Sequence, residues 1–229
     1  MAETLADKSV ILITHMMKMA KTPPVEKQKI VLDRALLKPA IQQRIEGAVL
    51  DLFSEREFHS VSFGEIAAAA NVSLQTIYKY YGSKEALLFA CLETWLGALA
   101  SRMLDHLQGI ESCQDKLRKV FWVVLDFFDR NPKVSQLIMS SLQISAWGRD
   151  RTFRQPEMME VLMKTLTDGR AEGVLTDEVN EKILLDYFIG ILERLVHMHT
   201  MRGEQEPLAL QANALFKMLW RAIARPANH

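Results

Sequence analysis

Between positions 75 and 80 the chain gathers a carboxamide, a hydroxyl, two phenols and an ammonium: Gln75, Thr76, Tyr78, Lys79 and Tyr80. These are groups that read duplex DNA. A glutamine amide pairs bidentately with adenine, and a threonine offers its hydroxyl and methyl to thymine. Tyrosine hydroxyls and lysine ammoniums reach phosphate oxygens. Lys84 follows at a predicted helix start, where unpaired N–H groups also favour an anion.

Such chemistry needs a short rod that presents these groups on one side, and the flanking residues supply one. Ser62 and Glu65 are spaced as a capping box that opens a helix over 63–70. Ile66 and Ala70 share a face of it, and the alanines at 67–69 let a neighbouring backbone come close. Asn71 tolerates the left-handed conformation that ends a helix sharply, and Val72 plugs the turn. Ser73 caps a second helix over 74–80. Ile77 and Tyr81 fall on its inner side, and Gly82 and Ser83 end it and start the next helix. Two short helices joined by a tight turn are the layout that lays the second helix in the major groove. The residues expected at DNA are Ser62, Ser73, Leu74, Gln75, Thr76, Tyr78, Lys79, Tyr80 and Lys84.

Positions 41–90 resemble the TetR/AcrR family of bacterial transcription regulators. The resemblance is carried by Phe53, Phe58, Ser62, Glu65-Ile66-Ala67, Ala70, Val72-Ser73, Thr76-Ile77-Tyr78, Tyr80-Tyr81 and Ser83-Lys84-Glu85-Ala86-Leu87. Where the family often has Gly, Thr, Gly and Phe, this chain has Glu57, Val61, Asn71 and Tyr81. The resemblance implies an all-α chain with a helix-turn-helix head, a helical ligand-binding and dimerisation body, and a homodimer on double-stranded DNA. The expected divisions are a partly flexible basic arm over 1–38, the head over 39–86 and the body over 87–229.

Charge and composition agree with this division. The 28 Lys and Arg balance the 28 Asp and Glu over 229 residues, so attraction to DNA cannot come from net charge. The head itself is slightly acidic, with Arg44, Arg56, Lys79 and Lys84 against six carboxylates. The basic excess sits in the arm, at Lys8, Lys18, Lys21, Lys27, Lys29, Arg34 and Lys38. Such an arm either tracks phosphates or the adjacent minor groove, or is a solvated tail. Cys91 and Cys113 are far apart and read as small apolar residues of a reducing compartment. No signal peptide or membrane segment is expected, which points to a cytoplasmic, nucleoid-associated protein.

Beyond the head everything reads helical, with helices over 84–108, 114–130, 133–147, 156–172, from a cap at Thr176 or Asp177 to 202, and over 208–224. The last two are apolar on more than one side, so they must bury two faces. One face meets the body and the other a second subunit, through Tyr187, Ile191, Leu195, Leu215 and Leu219. Met and aromatic residues suit an adaptable cavity for a small hydrophobic effector. The candidates are Trp95, Leu99, Met103, Phe121, Trp122, Leu125, Met139, Leu142, Trp147, Met159, Leu162 and Phe188, with plain core packing as the alternative. Segments 131–139 and 173–178 are similar to family members that sense fatty acyl thioesters, so an acyl-chain-like effector is expected. No cofactor and no metal are expected.

Catalysis finds little support. His197 and His199 point about 200° apart on a helix and cannot chelate together, and Glu193 with His197 reads as a surface pair. There is no G-x-S-x-G, no phosphate-binding glycine loop and no C-x-x-C. The remaining alternative is a helical ligand- or protein-binding module without DNA binding.

Overall fold

A computed structural model describes residues 32–141 and 156–226. Among the described residues the architecture is helical, joined by short turns. The helices are α1 (Pro39–Glu55), α2 (Phe63–Ala69), α3 (Leu74–Tyr81), α4 (Lys84–Leu107), α5 (Cys113–Arg130), α6 (Pro132–Ser141), α7 (Pro156–Ala171), α8 (Glu181–Arg202) and α9 (Ala212–Ile223).

The first three make the head. Pro39 occupies the first turn of α1, where its missing N–H costs nothing. Ile45, Ala48, Val49 and Phe53 recur at helical spacing and are buried. They pack with Ile66 and Ala67 of α2 and Ile77 and Tyr81 of α3 in one core. The arm is described only from residue 32 onward, and this end is docked. Asp33 caps a 3-10 turn over Arg34–Leu36, Leu37 is buried, and the Leu32 N–H donates to the Lys79 carbonyl at 2.9 Å. The arm's other basic residues, Lys8 to Lys29, lie outside the described residues.

Ser83 caps α4, whose early residues Leu87 to Leu92 are all buried, because the helix passes between the head and α5. By length and composition alone α4 could cross a bilayer, which the sequence reading did not expect. Half of its most apolar window is buried within the fold, as in the core helix of a globular protein. α5 is the axis of the body and packs against α4, α6, α7, α8 and α9. Phe121 stands at its centre, in edge contact with Phe188 of α8 (6.2 Å) and Phe216 of α9 (5.8 Å). α6 returns to the head and lies along α1, with the Lys133 ammonium 2.6 Å from the Asp51 carboxylate.

Two expected helix starts are corrected. The cap of α8 is Asn180, whose Oδ1 accepts from the Ile183 N–H at 3.0 Å, not Thr176 or Asp177. The backbone there is already committed. Thr176 N–H donates to Ile223 O, and Arg225 N–H to Val174 O, both at 2.9 Å. The final helix starts later than 208, because the Asp129 carboxylate accepts from the Leu208 and Ala209 N–H groups (3.0 and 2.8 Å) and holds Leu208–Gln211 as a 3-10 turn. The helix expected over 133–147 is described as Pro132–Ser141, and its remainder lies outside the described residues.

Candidate nucleic-acid interface

The turn between α2 and α3 is built by local hydrogen bonds. Ser62 Oγ accepts from the Glu65 N–H at 3.2 Å, and Glu65 Oε2 accepts from the Ser62 N–H at 2.8 Å, closing the expected capping box. Arg56 reinforces it, with Nη1 2.6 Å from Glu65 Oε1 and Nη2 donating to Ser60 O. The Arg56 guanidinium, then the Ser62 donors, pull the Glu65 carboxyl down from 4.5 to about 2.

Asn71 adopts φ 50°, the left-handed value expected of it. Its N–H donates to Ala68 O and that of Val72 to Ala67 O, the paired bonds of a Schellman ending. The Arg44 guanidinium fixes the turn from outside by donating to Asn71 O at 3.3 Å. Arg44 escaped the sequence reading because its partner is a carbonyl distant in sequence, for which no side-chain signal exists.

Ser73 Oγ caps α3 on the Thr76 N–H at 3.0 Å and shares a hydrogen bond with Thr76 Oγ1 at 2.7 Å. Ile77 and Tyr81 are buried, and burial pushes the Tyr81 phenol up to about 12. The outward side carries Ser73, Leu74 (43% exposed), Gln75, Tyr78 (40%) and Lys79. Tyr78 is steadied edge-on against Phe63 at 4.8 Å. Thr76 and Tyr80 are half-buried flanks rather than outward residues; at 100° per residue they fall between the two faces. Lys79 lies over the Tyr80 ring at 5.5 Å.

Lys84 differs from expectation. Its ammonium turns inward, donating to Phe58 O (2.7 Å) and Val61 O (2.8 Å) and lying 4.4 Å over the Phe58 ring. A 3-10 turn leaves its last carbonyls without helical donors, and this lysine satisfies them. Its role is corrected from phosphate anchor to clamp between the start of α4 and the segment entering α2.

In the body, Leu99, Met103, Phe121, Leu125, Leu162 and Phe188 belong to one packed core, with Trp95, Trp122 and Met159 partly buried against it. Leu142 and Trp147 lie outside the described residues, as does the side chain of Met139. Trp122 lines a surface cleft with Arg118 and Lys119. Asp126 ties α4 to α5. Burial pushes its carboxyl up, but Arg102 at 2.5 Å and Arg130 at 2.9 Å outweigh that and hold it below 3.8. Both cysteines are buried and free, and burial pushes the Cys113 thiol up to about 11, which disfavours the reactive thiolate.

Among the expected interface residues Tyr187 is exposed, while Ile191, Leu195 and Leu215 are half-buried. Leu219 is corrected: at 4% exposure it faces α5 and is core. The outward position on α9 is Met218, 66% exposed. No cluster of three or more potential metal ligands occurs among the described residues.

A short helix held by two capped neighbours, with a carboxamide, a phenol and an ammonium outward, defines a helix-turn-helix DNA-binding regulator. Residues 47–91 match the model of the bacterial regulatory proteins, tetR family. The match covers most of the head and the first turns of α4, which are similar in sequence to that family's DNA-binding domain. The nucleoid occlusion factor SlmA of Haemophilus influenzae is 24% identical over 210 residues, spanning 88% of this chain and 91% of that protein. The regulator UidR of Escherichia coli is 24% identical over 177 residues, 74% of this chain and 85% of that one. The structure of FadR from Bacillus subtilis in complex with stearoyl-CoA is similar in fold, with TM-score 0.69 and 19% identity, covering 77% of this chain and 96% of that chain.

Proposed function

We propose that the protein is a homodimeric repressor that leaves a palindromic operator when a small hydrophobic effector enters the body. The observation that carries this reading is the outward face of α3, where Gln75, Tyr78 and Lys79 are exposed. Gln75 reads base edges at the α3 N-terminus, and Ser73, Tyr78 and Lys79 position the backbone. One such helix discriminates weakly, so two copies on half-sites about one helical turn apart are needed. Ile183 and Tyr187 on α8 and Met218 on α9 leave apolar surface outward, which supports a second copy on that side. The effector is taken to be acyl-chain-like, supported by the apolar, Met- and aromatic-rich core and by the stearoyl-CoA bound to the FadR structure. It acts where the protein's own DNA lies, in the cytoplasm.

Two routes connect body to head: α4, clamped by Lys84, and α6, packed along α1 with Lys133 on Asp51. An effector that shifts either changes the spacing of the two reading helices. Couplings of about 1–3 kcal/mol are typical, equivalent to about 5- to 150-fold in operator affinity. Gel shifts and footprints on DNA flanking the protein's own gene test the reading. The expected result is a discrete, competitor-resistant complex with a two-fold symmetric footprint, weakened by long-chain acyl thioesters. Gln75→Ala changes base preference at one position per half-site by about 1–3 kcal/mol. Absence of any sequence-dependent complex defeats the proposal.

A further inference from the structure

The head has few cations left for phosphates. Of its four, Arg56 is held by Glu65 at 2.6 Å, Lys84 by two carbonyls, and Arg44 donates to Asn71 O. Lys79 on α3 rests on the Tyr80 ring and, among the described residues, its ammonium makes no ion pair. Lys38, just ahead of α1, is exposed. Against these stand the six head carboxylates, Glu46 to Glu85. Phosphate contacts supply a large share of the affinity of a DNA-binding protein, so a further source of positive charge is called for. The chain ahead of the head carries it. Positions 18–29 hold Lys18, Lys21, Lys27 and Lys29 against one carboxylate, Glu26.

The described end of this arm is fastened to the reading helix itself. The Leu32 N–H donates to Lys79 O at 2.9 Å. Arg34 reaches Glu93 of α4 at 2.7 Å, Asp33 caps the turn that follows, and Leu37 is buried in the head core. Lys79 lies about one helical turn from Gln75, so the arm leaves the head beside the side chains that face the duplex. Chain length sets how far it can go. Each residue advances an extended chain by at most about 3.6 Å, so Lys29 can be no more than about 11 Å from Leu32, and Lys27 no more than about 18 Å. The major groove is about 12 Å wide. With α3 in that groove, the phosphates along its edges come within reach of both lysines. We propose that residues 18–29 bind the phosphates bordering the groove that α3 enters, and that their four lysines supply the charge the head lacks. This role rests on α3 lying against duplex DNA.

The test compares the full chain with a variant carrying Lys18→Gln, Lys21→Gln, Lys27→Gln and Lys29→Gln together. The described head core starts at Leu37, so the fold is kept, checked by circular dichroism and melting temperature. Binding to the operator and to a duplex of random sequence is titrated by fluorescence anisotropy over a range of salt concentrations. Each phosphate contact contributes about 0.9 to the slope of log affinity against log salt. The glutamine variant is expected to lose about two units of slope or more on either duplex, and about tenfold or more in affinity at low salt. Arginine at the same four positions restores both. A slope that glutamine leaves unchanged overturns the role, and so does an arginine variant that stays as weak as the glutamine one. Failure here is separable from failure of the repressor reading. If no sequence is preferred, that reading falls and the random duplex still decides the arm. If an operator is preferred but the slope does not move, the arm alone is wrong. No binding to either duplex overturns both.

Discussion

The head and the body are held together in different ways. In the head the bonds that cap and turn the reading helices span three to five residues: Ser62 with Glu65, Val72 with Ala67, Ser73 with Thr76, Ser83 with Ala86; Arg44 on Asn71 and Lys84 on Phe58 and Val61 then brace them from farther along the chain. In the body, and where it meets the head, the decisive contacts are distant in sequence: Asp129 with Leu208 and Ser135 with Thr200 within it, Lys133 with Asp51 across to α1. A reading surface of a few residues must hold one geometry, and short capped helices provide it. A ligand-responsive body instead needs elements that can shift as units, and long-range contacts between whole helices allow that.

The largest effect that would sharpen this contrast lies in the body. Phe121→Ala removes the ring on which α8 and α9 both rest. A cost of about 3–5 kcal/mol is expected from the cavity. All four tryptophans lie beyond the head, at 95, 122, 147 and 220, so tryptophan fluorescence in urea reads the body. A loss under about 1 kcal/mol would mean that the body core is loosely packed and the contrast overdrawn.

Next comes Lys84→Met, which separates clamp from phosphate anchor. Two charge-assisted hydrogen bonds to carbonyls are lost, so about 1.5–3 kcal/mol of stability is expected to go. The dependence of operator affinity on log salt concentration keeps its slope. A phosphate-contacting lysine would instead reduce that slope by about one. A reduced slope with unchanged stability would return Lys84 to the DNA.

The same contrast explains what was legible. The capping box, the left-handed Asn71, the Ser73 cap and the inward Ile77 and Tyr81 are written in neighbouring residues, and the structure places each as expected. Lys84 was misjudged because its acceptors are carbonyls near Phe58, and carbonyls have no sequence signature. Helix existence in the body was legible from apolar spacing, but two starts were not. One is delayed by pairing with the chain's end near Ile223, the other by a carboxylate on α5. Leu219 and Met218 are adjacent, and only the packing of α9 on α5 decides which faces out. His199 was dismissed as a chelator beside His197, and its actual neighbours, Asp129 and Glu204, come from other segments.

Caps give a smaller and more direct comparison. Ser73 in the head and Asn180 in the body cap by the same bond, at 3.0 Å each. Replacement by Ala costs about 1 kcal/mol in either place. The consequences are expected to differ: Ser73→Ala weakens operator binding beyond its stability loss, because the cap sets the angle of α3, whereas Asn180→Ala lowers the melting temperature with operator affinity unchanged. Equal effects on binding would show that the body transmits helix-end disorder to the head, and the division of labour would fail.

The smallest effect is the response of the capping box to acid. Glu65 is depressed in the folded head from 4.5 to about 2. A depressed carboxyl contributes stability that is present in full above its ordinary value and is lost as pH falls through the folded value. The window is therefore between about pH 4.5 and about pH 2. The group is exposed and screened, so the change is small and best read as a difference. Glu65→Gln keeps an amide oxygen for the Ser62 N–H but neither the charge nor the Arg56 ion pair. The melting temperature of the unaltered protein should exceed that of Glu65→Gln most clearly at pH 5, and the gap should close toward pH 2. A gap constant over that range would mean that the Arg56–Glu65 pair adds nothing beyond the neutral box. The turn would then rest on hydrogen-bond geometry alone.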